Sequence, residues 1–312
     1  MKVLLAEPRG VCAGVDRAVK IVDEALARFG PPIYVLHEIV HNRHIVENFR
    51  RRGVIFVDEL GEVPEGTTAI FSAHGVAPAV YEEAKRRNLR AIDATCPLVT
   101  KVHQEVVRFA KKGRHLILIG HEGHEEVVGT MGHAPDSITL VTNTVDANRV
   151  TFPEEADLFV VTQTTLSMDD TAEILDVLKR RFPQLQLPRS DDICYATQNR
   201  QNAVKEISDK IDLLLIIGSA NSSNAKRLVE VGRSRSVQAH LVEDETGIDP
   251  AWLAGIETVG VSAGASTPEE LVQRVLSRLR DLGATDVRTH LTVEEKVIFN
   301  LPPELVGSRK GS

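Results

Sequence analysis

The residues best suited to chemistry are three cysteines, Cys12, Cys96 and Cys194, set 84 and 98 residues apart. Three is an odd number and too few for a disulfide framework. A helix N-terminus pushes a thiol towards thiolate, the form that binds metal, and each cysteine stands where a helix should begin. Cys12 follows an apolar strand at 2–6 and precedes an amphipathic stretch. Cys96 follows a strand at 90–93, and Pro97 takes the favoured first-turn position. Cys194 follows Asp191-Asp192-Ile193 and precedes a helix carrying Ala203, Val204 and Ile207. Three thiolates meeting at one point suit a three-thiolate zinc site or a cuboidal iron–sulfur cluster with one open iron. No Cys-x-x-Cys pair occurs, so ferredoxin or zinc-ribbon spacing is absent. The plainer alternative is three buried structural thiols.

Histidines form a second group. His41, His74 and His124 lie at or just after strand ends, where neutral imidazoles with Ser, Thr and Asn donors can hold a phosphate without lysine. His121-Glu122-Gly123-His124-Glu125 does not satisfy the His-Glu-x-x-His zinc motif. Glu126, two residues past His124, is placed as an acid in a secluded polar site, the setting for proton donation.

The elements that must position these groups alternate between short apolar runs and amphipathic stretches, the pattern of an α/β fold with largely parallel strands. Val15, Ala18, Val19, Val22, Ala25, Leu26 and Phe29 share one helical face, stopped by Gly30-Pro31-Pro32. The segments 168–182 and 268–282 predict similar helices. Five strands end in small, uncharged residues: 68–71 in Ser72-Ala73-His74-Gly75, 116–119 in Gly120-His121, 158–162 in Gln163-Thr164-Thr165, 213–217 in Gly218-Ser219, and 259–261 in Ser262-Ala263-Gly264. In open α/β sheets ligands bind at such carboxyl ends, so these ends could line one cavity. The recurring strand-to-helix pattern divides the chain into three similar α/β lobes, 1–96 (with Cys12, and Cys96 at its end), 97–193 and 194–282 (opening on Cys194), followed by a tail at 283–312. Within the tail, 296–301 predicts a closing strand and 307–312 disorder.

Composition excludes other classes. The 37 Lys and Arg against 44 Asp and Glu give a net charge of −7, and aromatics are 4%. Neither suits a nucleic-acid surface, which needs basic stripes and stacking rings. No apolar run approaches the roughly 20 residues of a membrane-spanning helix, and Glu7, Pro8 and Arg9 interrupt any signal peptide. The expected location is the cytoplasm, where thiols stay reduced. Neither a phosphate-binding P-loop nor a dinucleotide fingerprint occurs. Gly260-Val261-Ser262-Ala263-Gly264 matches a hydrolase nucleophile elbow, but too little chain follows for its acid and histidine.

Gly10-Val11-Cys12-Ala13-Gly14-Val15-Asp16-Arg17-Ala18, His37-Glu38-Ile39-Val40-His41-Asn42, Ser72-Ala73-His74-Gly75-Val76 and Asp93-Ala94-Thr95-Cys96-Pro97 closely resemble the LytB family of 4-hydroxy-3-methylbut-2-enyl diphosphate reductases. So do Gly120-His121-Glu122-Gly123-His124, Gln163-Thr164-Thr165-Leu166-Ser167, Asp191-Asp192-Ile193-Cys194-Tyr195-Ala196-Thr197, Ser222-Ser223-Asn224 and Ser262-Ala263-Gly264-Ala265-Ser266-Thr267-Pro268. The resemblance runs from residue 1 to about residue 282 and is only loose in the tail.

It implies the last step of the non-mevalonate isoprenoid pathway, reduction of an allylic alcohol diphosphate to isopentenyl and dimethylallyl diphosphate with loss of water. It also implies three lobes in pseudo-threefold arrangement around one 4Fe–4S cluster, ligated by Cys12, Cys96 and Cys194 with the fourth iron open. The diphosphate contacts would be His41, His74, Ser222, Asn224 and Ser266, with Ser223 and Thr165 lining the pocket. His124 and Glu126 would deliver protons, Glu126 as donor, and Thr164 would orient the substrate hydroxyl. Electrons would come from a ferredoxin or flavodoxin, for which Arg50-Arg51-Arg52 and Lys85-Arg86-Arg87 are candidate docking faces. Two alternatives stand beside this one: a quinolinate-synthase-like three-cysteine dehydratase, and a cluster or zinc protein that binds an anion without turnover.

Overall fold

The computed structural model describes residues 1–306; the expected disorder at 307–312 lies outside the described residues. The chain opens with β1 (Lys2–Glu7) and α1 (Ala13–Phe29), then β2 (Ile33–Leu36), α2 (Arg43–Arg51), β3 (Val54–Val57), β4 (Thr68–Phe71), α3 (Pro78–Arg86) and β5 (Arg90–Asp93). A second stretch holds α4 (Pro97–Ala110), β6 (His115–Ile119), α5 (Glu125–Met131), β7 (Ile138–Val141), α6 (Thr144–Arg149), β8 (Leu158–Thr162) and α7 (Met168–Arg181). The last runs through α8 (Tyr195–Ser208), β9 (Leu213–Ile217), α9 (Ser223–Ser234), β10 (Gln238–Val242), β11 (Thr258–Ala263), α10 (Glu269–Asp281), β12 (Asp286–Leu291) and α11 (Pro303–Val306). No helix of the described residues is long and apolar enough to cross a membrane.

The strands form three all-parallel sheets, ordered β3-β2-β4-β5, β7-β6-β8 and β10-β9-β11-β1-β12. Each obeys one rule. A leading strand (β2, β6 or β9) sends the chain to a neighbour on one side, and the third strand returns on the other. Every sheet therefore has a switch point, between β2 and β4, β6 and β8, and β9 and β11, where the loops leaving the strand ends diverge to make a crevice. A fourth strand position then precedes each cysteine. It is β5 before Cys96 and β1 before Cys12. Before Cys194 it shrinks to one parallel bridge, where Gln186 N donates to Leu158 O and Gln186 O accepts from Val160 N.

Two differences from the sequence reading follow. The first strand pairs with β11 and β12, so the sheet of the C-terminal stretch is completed by the N-terminus, and a lobe of residues 1–96 does not coincide with one sheet. The tail contributes β12, an edge strand of largely polar residues, whereas 296–301 forms neither helix nor strand.

By compactness the chain falls into two units. One comprises Met1–Ala13, His41–Ile45 and Cys194–Ile298; the other comprises Gly14–Val40, Val46–Ile193 and the segment beginning at Phe299. In the first, β9 is an unbroken apolar run with every residue fully buried, as a central parallel strand covered on both faces must be. Leu213, Leu215 and Ile217 pack with Val272, Val275 and Leu279 of α10. Leu214 and Ile216 face the other way, into Ala203, Val204 and Ile207 of α8 and Leu228 of α9. In the second unit β6 divides its faces alike: Ile117 and Ile119 meet Ile174 and Leu178 of α7, and Leu116 and Leu118 meet Val102 and Val106 of α4.

Candidate active site

In the unit that carries β2 to β8, two switch-point loops build an acid–base group. Gly123, at φ +77°, turns the chain after β6 so that His124 can cap α5. Its Nδ1 accepts from Glu126 N at 3.1 Å, which in the neutral ring leaves the hydrogen on Nε2. Glu126 follows in the first turn and is only 2% exposed. Its carboxyl is held by the loop after β8: Thr164 N donates to Oε1 at 2.6 Å, and Thr164 Oγ1 lies 3.0 Å from Oε2. From the loop after β4, His74 Nδ1 meets Glu125 Oε2 at 2.7 Å, and its ring lies edge-on to His124 with centroids 5.8 Å apart. The predicted residues His74, His124, Glu126 and Thr164 are thus brought together. Thr165 is tied in through Gln163, whose Nε2 donates to Thr165 Oγ1 at 3.1 Å and whose Oε1 accepts from His121 N at 3.0 Å.

Cys96 occupies the N-cap position of α4, with Pro97 in the first turn as read, and its backbone N donates to Ala73 O beside His74. Arg17 braces the same loop: Nη1 donates to Thr95 O at 3.0 Å and Nε to Asn300 O at 2.8 Å. In place of a strand, the approach to residue 194 is pinned by buried Asp192, which accepts from Thr162 N at 3.1 Å and Lys101 Nζ at 3.0 Å. Burial pushes this carboxyl up, and Lys101 pulls it back.

Beneath the His74 loop, Gly75 has φ +78°, and a Cβ there would sit 2.6 Å from His103 Cε1. His103 is buried and lies against His133, with ring centroids 4.1 Å apart and planes tilted by 35°. Burial, aided by His133, holds its imidazole down to about 3, against 6.5 ordinarily. Between those values the unfolded chain takes up a proton that the folded one refuses, so stability falls as pH falls, by about 1.4 kcal/mol per pH unit. Urea denaturation of the metal-free protein at pH 6.5 and 5.0 should show about 2 kcal/mol more loss in wild type than in His103→Gln. Equal losses would refute a buried neutral His103.

The unit containing β9 to β12 holds the remaining predicted residues, again at a switch point. Ser222 caps α9 and accepts from Ala225 N, and Ser223 opens that helix. Buried Asn224 accepts from Ala265 N at 2.9 Å and donates to Thr197 Oγ1 at 3.1 Å. Ser266 Oγ donates to His41 O at 2.8 Å. Cys194 caps α8: its Sγ accepts from Thr197 N at 3.4 Å and lies 3.2 Å from Thr197 Oγ1. Cys12 N donates to Ala265 O at 3.1 Å. One polar chain therefore runs from the Cys194 thiol through Thr197, Asn224 and Ala265 to the Cys12 backbone. The Tyr195 phenol is pushed above its ordinary range by burial and by Cys12, Glu295 and Cys194.

All three cysteines are half-buried and none forms a disulfide. Ser262 lies inside β11, fully buried, with no partner for its hydroxyl, and so cannot be the nucleophile of an elbow. The candidate docking arginines are engaged in surface ion pairs, Arg50 with Glu47, Arg52 with Asp23, and Arg86 and Arg87 with Glu83. Sequence reasoning missed Glu125 as the partner of His74. It also passed over Gln163 and Thr197, whose neutral polar side chains only show their importance through their contacts.

These features define a parallel α/β protein whose candidate acid–base residues and helix-start thiols follow the carboxyl ends of its strands. The family description "LytB protein" matches residues 3–280, and the chain belongs to that family. A 4-hydroxy-3-methylbut-2-enyl diphosphate reductase of Mycolicibacterium paratuberculosis is 56% identical over 309 residues, 99% of this chain and 93% of that one. The protein of the same name in Actinobacillus succinogenes is 53% identical, covering 98% of each chain. The solved structure of the E-1-hydroxy-2-methyl-but-2-enyl-4-diphosphate reductase of Plasmodium falciparum matches with a TM-score of 0.96 at 42% identity, covering 98% of this chain and 96% of that.

Proposed function

We propose that the chain is a reductase of 4-hydroxy-3-methylbut-2-enyl diphosphate, giving isopentenyl and dimethylallyl diphosphate in the last step of the non-mevalonate isoprenoid pathway. Family membership and the names of its relatives support the substrate. The observation that carries the chemistry is Glu126, a buried carboxyl with both oxygens held by Thr164.

The reaction breaks the C–O bond of the allylic alcohol and makes a C–H bond. Two electrons and two protons enter, and the oxygen leaves as water. Glu126 holds the proton that the departing oxygen needs. Its 3.0 Å contact with Thr164 Oγ1 works in either direction, because a hydroxyl is both donor and acceptor. A protonated Glu126 donates to Thr164, whose own hydrogen then points at the substrate hydroxyl. His124 presents Nε2–H alongside and favours negative charge developing on that oxygen.

The diphosphate falls to His41, His74, Ser222, Asn224 and Ser266, with Ser223 and Thr165 lining its pocket. With Nδ1 facing Glu125 Oε2 at 2.7 Å, Nε2 is the ring nitrogen of His74 left to donate to an anion. Uncharged donors and the α9 N-terminus supply the rest, so a net acidic protein can hold an anion.

The cofactor follows from the donor set. Three half-buried thiols, each at the start of a helix, suit soft iron and favour the thiolate. Cys12, Cys96 and Cys194 would hold one 4Fe–4S cluster in a pseudo-threefold setting. When bound, such a cluster supplies single electrons and, with only three protein ligands, an iron open to act as a Lewis acid. The electrons come from outside the chain, from a ferredoxin or flavodoxin.

Anaerobic reconstitution with iron and sulfide tests this reading. The expected product is a brown protein that turns over the diphosphate only with a reductant present. Turnover without reductant would mark a dehydratase. A colourless protein holding one zinc and taking up no cluster would sink the proposal.

A further inference from the structure

Arg200 is the largest fully buried side chain among the described residues, and nothing in the reaction above uses it. It lies on α8, six residues past Cys194. Its Nε and Nη2 both donate to Gly10 O, at 3.1 and 2.8 Å, two residues before Cys12. Nη1 donates to Ala196 O at 2.8 Å, two residues after Cys194. The charge is met by Glu295, with Oε1 3.0 Å from Nη1 and Oε2 3.3 Å from Nη2, and Asn199 Nδ2 also donates to Oε1 at 3.0 Å. Every nitrogen of the guanidinium is engaged. Gly10 is fitted to receive it: at φ +63° it takes a left-handed turn, and a Cβ there would meet Thr267 O at 2.9 Å.

A buried ion pair is a poor way to gain stability, because desolvation cancels most of the attraction, whereas an apolar pair of equal volume would pack at no such cost. What a planar, five-donor fork does well is fix several acceptors in relative orientation. Here those acceptors are the backbones beside two thiols far apart in the chain, and the anion comes from the segment after β12.

We propose that Arg200 and Glu295 are positioning residues that fix Cys12 and Cys194 relative to one another for metal ligation. The inference rests on the cluster reading above, and its test separates the two. Wild type, Glu295→Gln and Arg200→Lys are reconstituted anaerobically, and iron release to a ferrous chelator is timed. In parallel, the metal-free proteins are pulsed with N-ethylmaleimide and labelling is read at each cysteine by mass spectrometry.

In Glu295→Gln, iron release should quicken about tenfold or more, the usual effect of losing a group that orients a metal ligand. Labelling of Cys12 and Cys194 should quicken while Cys96 reacts as in wild type. Arg200→Lys keeps the charge but loses the fork, and should fall between the two. Wild-type rates in both variants would overturn the proposal. So would equal acceleration at all three cysteines, which marks general loosening. If wild type assembles no cluster, the cluster reading and the ligation purpose fail together; a cluster with unaltered release and labelling removes the positioning role alone.

Discussion

Glu126→Gln is expected to lower turnover of the diphosphate by about two to four orders of magnitude, the usual worth of a positioned general acid, with iron and sulfide content unchanged. The substitution is nearly isosteric and its surroundings can accept it. The Gln carbonyl can still receive Thr164 N, and its amide can donate to Thr164 Oγ1, so the loop after β8 keeps its anchor. What disappears is a transferable proton. The loss should therefore fall on kcat with KM little changed, because the proposed diphosphate contacts lie on other residues. Steady-state kinetics with an artificial reductant, beside iron analysis and the cluster's visible spectrum, make the comparison. Normal turnover in the variant would remove Glu126 from proton delivery.

An effect as large should come from the thiols. Cys12→Ser, Cys96→Ser and Cys194→Ser are each expected to abolish activity, with iron content down by more than the roughly tenfold loss typical of an outer-shell change. A serine hydroxyl stays protonated where a thiol yields thiolate, and bound iron demands the deprotonated ligand. Folding should survive. Cys194 caps α8 by accepting from Thr197 N, and Ser is among the best residues for that task. Equal damage from all three substitutions, with circular dichroism unchanged, is the signature of one shared site. If any one serine variant keeps its full iron, the three-ligand assignment fails.

Much of the fold was legible because parallel strands buried on both faces read as unbroken apolar runs. Thr68–Phe71, Leu158–Thr162 and Leu213–Ile217 end where the run ends, and small polar residues mark the turns. Pairing partners were not legible, because periodicity says what a segment is and not what it lies beside. Hence β1 could not be assigned to the last sheet. The tail misled for a related reason. Apolar character drew attention to 296–301, yet the strand that forms is Asp286–Leu291, an edge strand with one covered neighbour and little need of apolar residues. Among the candidate residues, Cys12, Cys96, Cys194, His124 and Glu126 stand out by type and position. Arg200 and Glu295 do not, since an arginine on a polar helix and a glutamate in a polar tail look solvated until the contact between them is seen.

The pairing of Lys2 with both Thr258 and Asp286 sets a timetable for biosynthesis. Among the described residues, the first strand to leave the ribosome has its two neighbours among the last strands made, and closing so long a loop has an entropic cost. The sheets of β2 to β5 and β6 to β8 can form as they emerge. Cys12 is the first thiol synthesised, yet the strand before it gains its neighbours only when β11 and then β12 have been made. The segment that carries Cys12 is therefore seated late in synthesis, by strands drawn from the far end of the described residues.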